Sequence, residues 1–183
     1  MTDSIAIRRA RPEDAPDLML IYSGRAAFSG TLQLPYPAET FWTNRLVNAP
    51  EGTHDLVAVA GGHVVGMVGL HCNPLKPRRS HAASIGIGVH DEWQGKGVGT
   101  ALLKAAIDLA DNWLNLVRLE LEVFADNEPA LRLYSRFGFV EEGRFRAHAF
   151  RNGSYVDSIA MARVRTERLG SAGAPSITPR SSS

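Results

Sequence analysis

Three glycines at positions 95, 97 and 99 constrain this chain more than any other feature of its sequence. They lie in the segment Gln94–Thr100, between a run rich in Ile and Val (Ala82–His90) and an amphipathic helix predicted over Gly97–Trp113. Glycines let the backbone pass close to a ligand with its N–H groups pointing inward, and a helix start adds unpaired donors and a positive dipole end. The pattern predicts an anion site suited to a pyrophosphate.

This segment matches neither of two other phosphate-binding loops. Lys96 is misplaced for a Walker A loop, which needs Gly-x-x-x-x-Gly-Lys-Ser/Thr. Thr100 stands where the dinucleotide fingerprint Gly-x-Gly-x-x-Gly needs its last glycine. A flexible glycine turn that only caps a helix stays an alternative.

Composition indicates an ordinary globular protein. The chain has 183 residues, of which 44% are hydrophobic and 21% charged, with a net charge of +1. We predict one domain over residues 1–165 and a disordered tail over 166–183, and we expect no nucleic-acid partner and no membrane partner. The start lacks a signal-like apolar run and the single cysteine, Cys72, cannot pair within the chain, so we expect a cytoplasmic protein with a buried thiol.

Periodicity predicts the element order βαα-βββ-αβ-αββ, a mixed α/β sheet of about seven strands with about four helices on both faces. The glycine pairs at 61–62 and the Asn-Gly pair at 152–153 indicate hairpin turns. Glycines 86 and 88 inside a strand indicate a bulge or a close approach by a ligand. The expected strands are Ser4–Arg8, Leu56–Ala60, Val64–His71, Ala82–His90, Val117–Phe124, Phe139–Phe150 and Tyr155–Arg163, and the helices Arg11–Ser23, Ala38–Asn48, Gly97–Trp113 and Asn127–Phe137.

Two spaced motifs resemble those of a known superfamily. Gln94, Gly97 and Gly99 match the acetyl-CoA signature Gln/Arg-x-x-Gly-x-Gly/Ala of the GNAT superfamily. A second pattern of that superfamily follows the next strand and comprises Asn127, Ala130, Tyr134 and Gly138-Phe139. The resemblance covers the chain from Ile5 to Arg163. It implies the GNAT fold, with a β-bulge and splayed central strands, and acetyl-CoA as co-substrate.

Shorter segments resemble the enterobacterial L-amino-acid N-acetyltransferase group, whose members act on free amino acids such as phenylalanine and methionine. That likeness implies direct attack by a primary amine in a ternary complex. Acetylation of a protein N-terminus, a lysine or an antibiotic amine stays open, as does a CoA-binding module without turnover. The segments are Thr31–Pro35, Pro77–His81, Asp111–Leu114 and Arg151–Asp157.

The resemblance also implies residue roles. Tyr134 would protonate the departing thiolate, although it can also be read as a packing tyrosine. Ile87, Gly88 and Val89 would lie along the pantetheine arm, and Asn127 would bind or bridge to it. The remaining cofactor-binding residues would hold the pyrophosphate; they are Gln94, Gly95, Lys96, Gly97, Val98, Gly99 and Thr100.

The amine must lose a proton before it attacks, and Glu122, Glu120 and His81 are candidate bases. Glu120 and Glu122 share one face of their strand, which is equally typical of a solvated edge. His81 begins the splayed strand and an imidazole titrates near neutral pH, but it also reads as a loop histidine. Ser84 departs from the amino-acid group, which tends to carry an acid there.

Acceptor selection is expected in the early helices and the irregular stretch between them. Tyr36 and Trp42 could line an apolar pocket with Leu34, although such aromatic residues are more often core. Arg79 could pair with a carboxylate or a CoA phosphate, or lie in a solvated basic loop. The six histidines form no HxxxH or HxH cluster, so no metal is expected. The C-terminal hairpin could build a homodimer by edge pairing.

Overall fold

The protein is described here by a computed structural model in which residues 4–166 are placed, so the predicted tail over 166–183 lies outside the described residues except for its first residue. Seven strands form one mixed sheet in the order β1-β2-β3-β4-β5-β7-β6, which confirms the predicted fold class. The strands are β1 (Ala6–Arg9), β2 (Thr53–Ala60), β3 (His63–Cys72), β4 (Ala82–Val89), β5 (Arg118–Phe124), β6 (Val140–Arg151) and β7 (Ser154–Val164).

The described residues contain five α-helices, one more than the sequence predicts. They are α1 (Ala15–Ser23), α2 (Arg25–Ser29), α3 (Glu39–Val47), α4 (Val98–Asp108) and α5 (Glu128–Arg136). The additional helix is α2, which falls in a segment too short to show a period. None of the helices in the described part of the chain is long and apolar enough to cross a membrane.

Turn residues place the strands as predicted. Gly61 and Gly62 have φ of 58° and 86°, and Asn152 and Gly153 have φ of 51° and 79°. Two consecutive residues with positive φ give the hairpin twist that matches paired strands, so β2–β3 and β6–β7 are antiparallel neighbours. Both predicted hairpins are confirmed.

The parallel pairing of β4 with β5 is short. It consists of Ala82↔Arg118, Ala83↔Leu119 and Ser84↔Glu120, and the two strands diverge beyond these pairs. The splayed central strands implied by the resemblance are therefore present. The divergence opens the sheet between its first four strands and its last three.

The sheet has β-bulges, but none in the β3–β4 pairing, where Gly86 and Gly88 indicated either a bulge or a close approach. The β3–β4 register runs without a break from Gly66↔Val89 to Cys72↔Ala83. Gly88 instead makes room for a helix side chain, because a Cβ there would lie 2.5 Å from the Tyr22 hydroxyl. Register shifts occur elsewhere, in β2 at Ala58/Val59 and in β6.

Successive side chains of the strands supply two apolar cores on opposite faces of the sheet. On β2, Val57 packs with α1 and α3, whereas Ala58 packs with α4 and α5. The predicted amphipathic helix Gly97–Trp113 does not bury its last residue, since Trp113 is 76% exposed. The helix finishes in a π-turn over Leu109–Trp113, which rotates that side chain off the buried face.

Candidate active site

A cleft of about 400 Å³ lies where β4 and β5 separate. Its walls come from α2, the second half of β4, the glycine segment, the first turn of α4, and α5. The side chains and backbone that line it are those of Ala26, Ala27, Gly30, Thr31, Ile87, Gly88, Val89, Trp93, Gln94, Gly95, Gly97, Val98, Gly99, Thr100, Asn127, Pro129, Ala130, Leu133, Tyr134 and Arg136.

The cleft brings together nearly all residues that the sequence assigns to the cofactor. Ile87, Gly88 and Val89 form its β4 wall, Gln94 through Thr100 form one end, and Asn127 and Tyr134 contribute from α5. Lys96 is the exception, because its Nζ lies over the Trp93 ring, 5.0 Å from the centroid. These residues share one site, and their contact with a cofactor stays a prediction.

The glycine segment has the geometry of an anion cradle. Gly95 and Gly97 have φ of 70° and 86°, and a Cβ on either would meet no atom within 4 Å. The first helical bond of α4 runs from the Ala101 N–H to the Gly97 carbonyl at 3.0 Å. The N–H groups that precede it have no partner within the helix, and no side chain caps them. A diphosphate fits such a ring of free donors at a helix start.

Arg136 is a cleft residue that the sequence reading missed. Its guanidinium donates to Thr100 Oγ1 at 3.3 Å, which places a cation beside the glycine segment. It follows Tyr134 by two residues on α5, so the second motif was the signal that could have pointed to it. A guanidinium at this position adds positive charge to an anion site.

Tyr134 lies at the junction of the cleft and the core, 7% exposed, with its ring centroid 5.6 Å from that of Phe139. Burial, and to a lesser extent the neighbouring Tyr22, raises the pKa of the Tyr134 phenol. The side chain is therefore a neutral phenol at physiological pH. A neutral phenol facing a cleft can donate a proton or a hydrogen bond.

Tyr22 is a second tyrosine at the splay, which the sequence analysis did not assign to the site. Its ring stacks on Trp42 at 4.5 Å, and its hydroxyl faces Gly88. Burial raises the pKa of Tyr22 to about 12, with Arg45 opposing and Asp55 adding to the rise. The two buried phenols thus belong to opposite faces of the opened sheet.

The two candidate carboxylates differ in their partners. Glu120 forms ion pairs with Arg79 and with Arg118, the latter at 2.8 Å. Glu122, one step further along the same face of β5, is 54% exposed and lies 3.6 Å from Nε2 of His148. Two guanidinium groups already occupy the Glu120 carboxylate, so Glu122 is the better-placed proton acceptor.

A smaller pocket of about 70 Å³ adjoins the cleft on this side. Glu122 and His148 line it, together with Gly30 and Thr31, which also line the cleft. Leu32, Phe124 and Ser158 complete it. An amine in this pocket would lie between the Glu122 carboxylate and the end of the main cleft.

His81 does not join the site. It precedes β4, and its carbonyl accepts the backbone N–H groups of Val117 and Arg118 at 2.9 and 3.1 Å. Six residues at about 3.3 Å each place its backbone roughly 20 Å from Ile87. The structure therefore does not bring His81 together with the cleft residues, and its role as a base stays a prediction.

The predicted acceptor residues are not brought together. Trp42 is in the core, 2% exposed, because α3 packs it against Tyr22, so it does not line an acceptor pocket. Leu34 and Tyr36 are 79% and 97% exposed on the connection from α2 to α3. Arg79 is already bound to Glu120. Within residues 4–166, no group of three His, Cys, Asp or Glu side chains could hold a metal ion.

The short helix α2, also missed, lines the cleft through Ala26 and Ala27, and Gly30 and Thr31, directly after it, line both the cleft and the smaller pocket. At its start, the Ala26 N–H donates to Asp91 Oδ2 at 3.3 Å. At its end, Arg151 Nη1 donates to the Ser29 carbonyl at 2.9 Å, and the same guanidinium pairs with Asp126. Asp91, which precedes the glycine segment, and Arg151, in the C-terminal hairpin, therefore fix the two ends of α2.

Comparison with known proteins agrees with this geometry. Residues 20–139 match the acetyltransferase (GNAT) family. The chain is 42% identical over 161 residues to the L-amino acid N-acetyltransferase AaaT of Escherichia coli (strain K12), a match that covers 88% of this chain and 98% of that protein.

Among solved structures, an acetyltransferase of the GNAT family from Streptococcus pneumoniae superposes with a TM-score of 0.76 at 26% identity, covering 88% of this chain and 99% of that one. A phosphinothricin acetyltransferase from Sinorhizobium meliloti, in complex with AcCoA, superposes with a TM-score of 0.81. Its identity is 21%, over 98% of this chain and 97% of that one, so this second likeness concerns the fold.

Proposed function

Because this chain belongs to the acetyltransferase (GNAT) family and is an N-acetyltransferase, we propose that it moves an acetyl group from acetyl-CoA to the primary amine of a free L-amino acid. The observation that carries the acceptor assignment is the 42% identity to an L-amino acid N-acetyltransferase along almost the whole of both chains. A phenylalanine-like or methionine-like side chain is the finer form of the proposal.

The residues of the cleft fit acetyl-CoA. The free N–H groups at the start of α4 and the Arg136 guanidinium suit the pyrophosphate, and the open backbone of β4 from Ile87 to Val89 suits the amide groups of the pantetheine arm. When bound, acetyl-CoA supplies an acetyl group activated as a thioester. Asn127, whose Oδ1 caps α5 by accepting the Ala130 N–H at 3.3 Å, keeps its amide nitrogen for the ligand.

The side chains around the splay supply the proton transfers. Glu122 accepts one proton from the acceptor ammonium, so that the nitrogen can attack the acetyl carbon. A backbone N–H of β4 stabilises the negative oxygen that develops during attack. The C–S bond breaks as the amide forms, Tyr134 gives its proton to the departing sulfur, and the second proton of the nitrogen returns to Tyr134 through solvent.

The α2–α3 connection supplies the acceptor pocket. Gly30, Thr31 and Leu32 face Glu122 across the smaller pocket, and the exposed Leu34 and Tyr36 follow a few residues later. We propose that this connection covers the acceptor side chain. An apolar cover suits an apolar amino acid, since the transfer of its side chain from water is favourable.

We also propose that the protein is a cytoplasmic homodimer. Strand β6 is the last strand of the sheet and carries the exposed side chains Val140, Phe145 and Phe150, with Tyr155 beside them on β7. A long edge with exposed apolar groups is a surface that proteins usually pair or cover. Light scattering of the purified chain would measure the dimer.

The activity is tested by following thiol release from acetyl-CoA with each of the twenty amino acids. Turnover with phenylalanine or methionine well above the rate without acceptor is the expected result. Peptides with free N-termini, N-terminally blocked lysine peptides and aminoglycosides serve as comparison acceptors.

The outcomes separate the alternatives. Turnover only with peptides or with an antibiotic amine would move the acceptor to that class. Thermal stabilisation by CoA without turnover of any amine would make the protein a CoA-binding module. The absence of any heat on titration of CoA into folded protein would remove the cleft assignment itself.

A further inference from the structure

We propose that His148 is a positioning residue for the acetyl-transfer step, which orients the Glu122 carboxylate toward the acceptor amine and passes the accepted proton on to solvent. This inference rests on the proposed function, because it concerns the same amine. It adds a residue of the C-terminal hairpin to a site otherwise built from α2, β4, β5 and α5.

An irregularity in β6 presents His148 to the site. Phe145 pairs with Ser158 and Ala149 pairs with Val156, so that three residues of β6 (146–148) stand opposite one residue of β7. Ala147 has φ of 49° within this segment. An insertion of this kind breaks the ladder and redirects side chains. Its consequence here is that the imidazole turns toward the face that carries Glu122.

Small residues of β7 let the imidazole reach across to β5. Strand β7 lies between β6 and β5, and its residues opposite Glu122 and Phe124 are Ala160 and Ser158. Neither side chain is large enough to fill the space above the strand. His148 Nε2 therefore comes within 3.6 Å of Glu122 Oε2, although a full strand separates their backbones.

Asp157 holds the irregular segment in place. Its Oδ1 accepts the Ala147 N–H at 2.9 Å and its Oδ2 accepts Arg144 Nε at 2.8 Å. These two donors lower the pKa of Asp157, so that it stays charged and bonded over a wide pH range. The Phe145 ring lies 5.2 Å from the imidazole and limits its rotation.

The charges around this pair distinguish it from its neighbours. Glu142 and Glu120 bind Arg118, Glu120 also binds Arg79, and Asp126 binds Arg151. Among the described residues, Glu122 forms no ion pair with an arginine, and its ion-pair partner is a histidine. An arginine would hold its charge permanently, whereas an imidazole can take up and release a proton near neutral pH.

These two groups account for the proton that the acceptor ammonium loses. The acceptor ammonium transfers one proton to the Glu122 carboxylate, and Glu122 transfers it to Nε2 of His148. His148 is 31% exposed and releases that proton to water, which restores the pair. The separation of 3.6 Å shortens to a hydrogen bond once the acceptor fills the pocket, as catalytic contacts often tighten with substrate.

The test compares His148→Ala and Glu122→Gln with the wild-type enzyme, using its best amino-acid acceptor. We expect Glu122→Gln to lower kcat/KM by about 100-fold or more, and His148→Ala by about 10- to 100-fold. In His148→Ala the acidic limb of the pH profile should move to lower pH, because the proton of the wild-type pair resides on the imidazole, which is ordinarily a stronger base than a carboxylate. Added imidazole should restore part of the rate, which a merely structural loss would not allow.

Matched variants keep the outcomes distinct. His63→Ala removes another exposed histidine, on β3 outside the site, and should leave kcat/KM unchanged. His148→Gln preserves the size of the side chain if His148→Ala unfolds, and it should show the same shifted acidic limb. If the wild-type enzyme turns over and folded His148 variants have the same rate and pH profile, this inference alone is overturned. Wild-type protein without turnover of any amine overturns the proposed function and this inference with it.

Discussion

Gly97 combines two properties that no other residue type could supply at the start of α4. Its φ of 86° lies in the left-handed region, and its Cβ position opens onto the cleft with no atom within 4 Å. A side chain there would carry a backbone cost of about 1–2 kcal/mol and would also project into the space in front of the free N–H groups. A second glycine with the same backbone conformation, but away from the cleft, separates the backbone cost from the obstruction of the phosphate.

Gly62, in the β2–β3 turn, is that second glycine, with the same φ of 86° and the same open surroundings. We expect Gly97→Ala and Gly62→Ala to lose similar unfolding free energy, about 1–2 kcal/mol each in denaturant titrations. Only Gly97→Ala should weaken CoA binding, by about 10-fold or more in calorimetry, because one methyl group costs about a kcal/mol or more where a phosphate must approach. Equal CoA affinity in the two variants would contradict the cradle.

At the scale of elements, strand β2 carries a buried carboxylate, Asp55, whose electrostatic neighbours include Arg45 of α3 and His71 of β3. Asp55 is 6% exposed, and neither of its carboxylate oxygens accepts a hydrogen bond from the described residues. Burial raises the pKa of Asp55, while Arg45, His71, Arg9 and His54 oppose the rise. Burial also lowers the pKa of His71.

The sign of the resulting pH dependence follows from the raised pKa. Below the ordinary pKa of aspartate, the folded and unfolded chains both hold the proton on Asp55; above it, the unfolded chain releases the proton first, so stability falls as pH rises through the folded value. In Asp55→Asn, this fall in stability with rising pH is absent. We expect its unfolding free energy, relative to wild type, to rise between about pH 3 and pH 7, by on the order of 1 kcal/mol, the scale of a single buried polar group.

Asp14 is the matched control, because its pKa shifts the other way. Burial would raise the pKa of Asp14, but hydrogen bonds from Arg8, at 2.7 Å, and from the Arg11 N–H outweigh it and lower the pKa. Its stabilisation is present above the unfolded pKa and is lost as pH falls through the folded value. Asp14→Asn should therefore destabilise most at neutral pH. Parallel pH profiles for the two variants would contradict both assignments.

The elements that the sequence predicted are those with a repeated local signal. The strands were recognisable from their apolar runs, the hairpins from Gly61-Gly62 and Asn152-Gly153, and α5 from the Asn127 cap and the Gly138 stop, whose φ is 83°. The helix α2 has five residues and no period, so nothing local marked it. The π-turn at the end of α4 depends on contacts made after folding.

The candidate site was predictable where one segment carries it and not where several segments meet. The residues from Gln94 to Thr100 are contiguous, and their glycines are visible in the sequence. The nearness of His148 to Glu122 depends on a register shift in β6 and on small residues in β7. The burial of Trp42 and the pairing of Arg79 with Glu120 likewise arise from tertiary packing, which residue spacing alone does not report.

At the scale of the whole molecule, the sheet consists of two parts with a weak junction. Strands β1–β4 and β5–β7 are joined by the three β4–β5 residue pairs, and the cleft lies directly beyond them. Its lining includes β4 and α4 from one part and α5 from the other. A ligand that fills the cleft therefore bridges both parts.

We expect CoA at 100 times its dissociation constant to stabilise the folded protein by about 2.7 kcal/mol. For a domain of this size that corresponds to a rise in Tm of roughly 5–10 °C, measurable by differential scanning fluorimetry. In Gly97→Ala the same rise should need about 10-fold more CoA. A Tm that does not respond to CoA would contradict a cleft that bridges the two parts.

Within the described residues, the polypeptide passes from one part of the sheet to the other once, at this weak junction. Within residues 4–166, the elements before the segment 114–117 belong to the first part, including α4, which packs on β2, β3 and β4, and the elements after it belong to the second. Severing the polypeptide there would yield two pieces with contiguous strands and complementary edges. A ligand that contacts both pieces, as proposed for acetyl-CoA, would favour their association. Such a pair of pieces could serve as a split sensor of that metabolite.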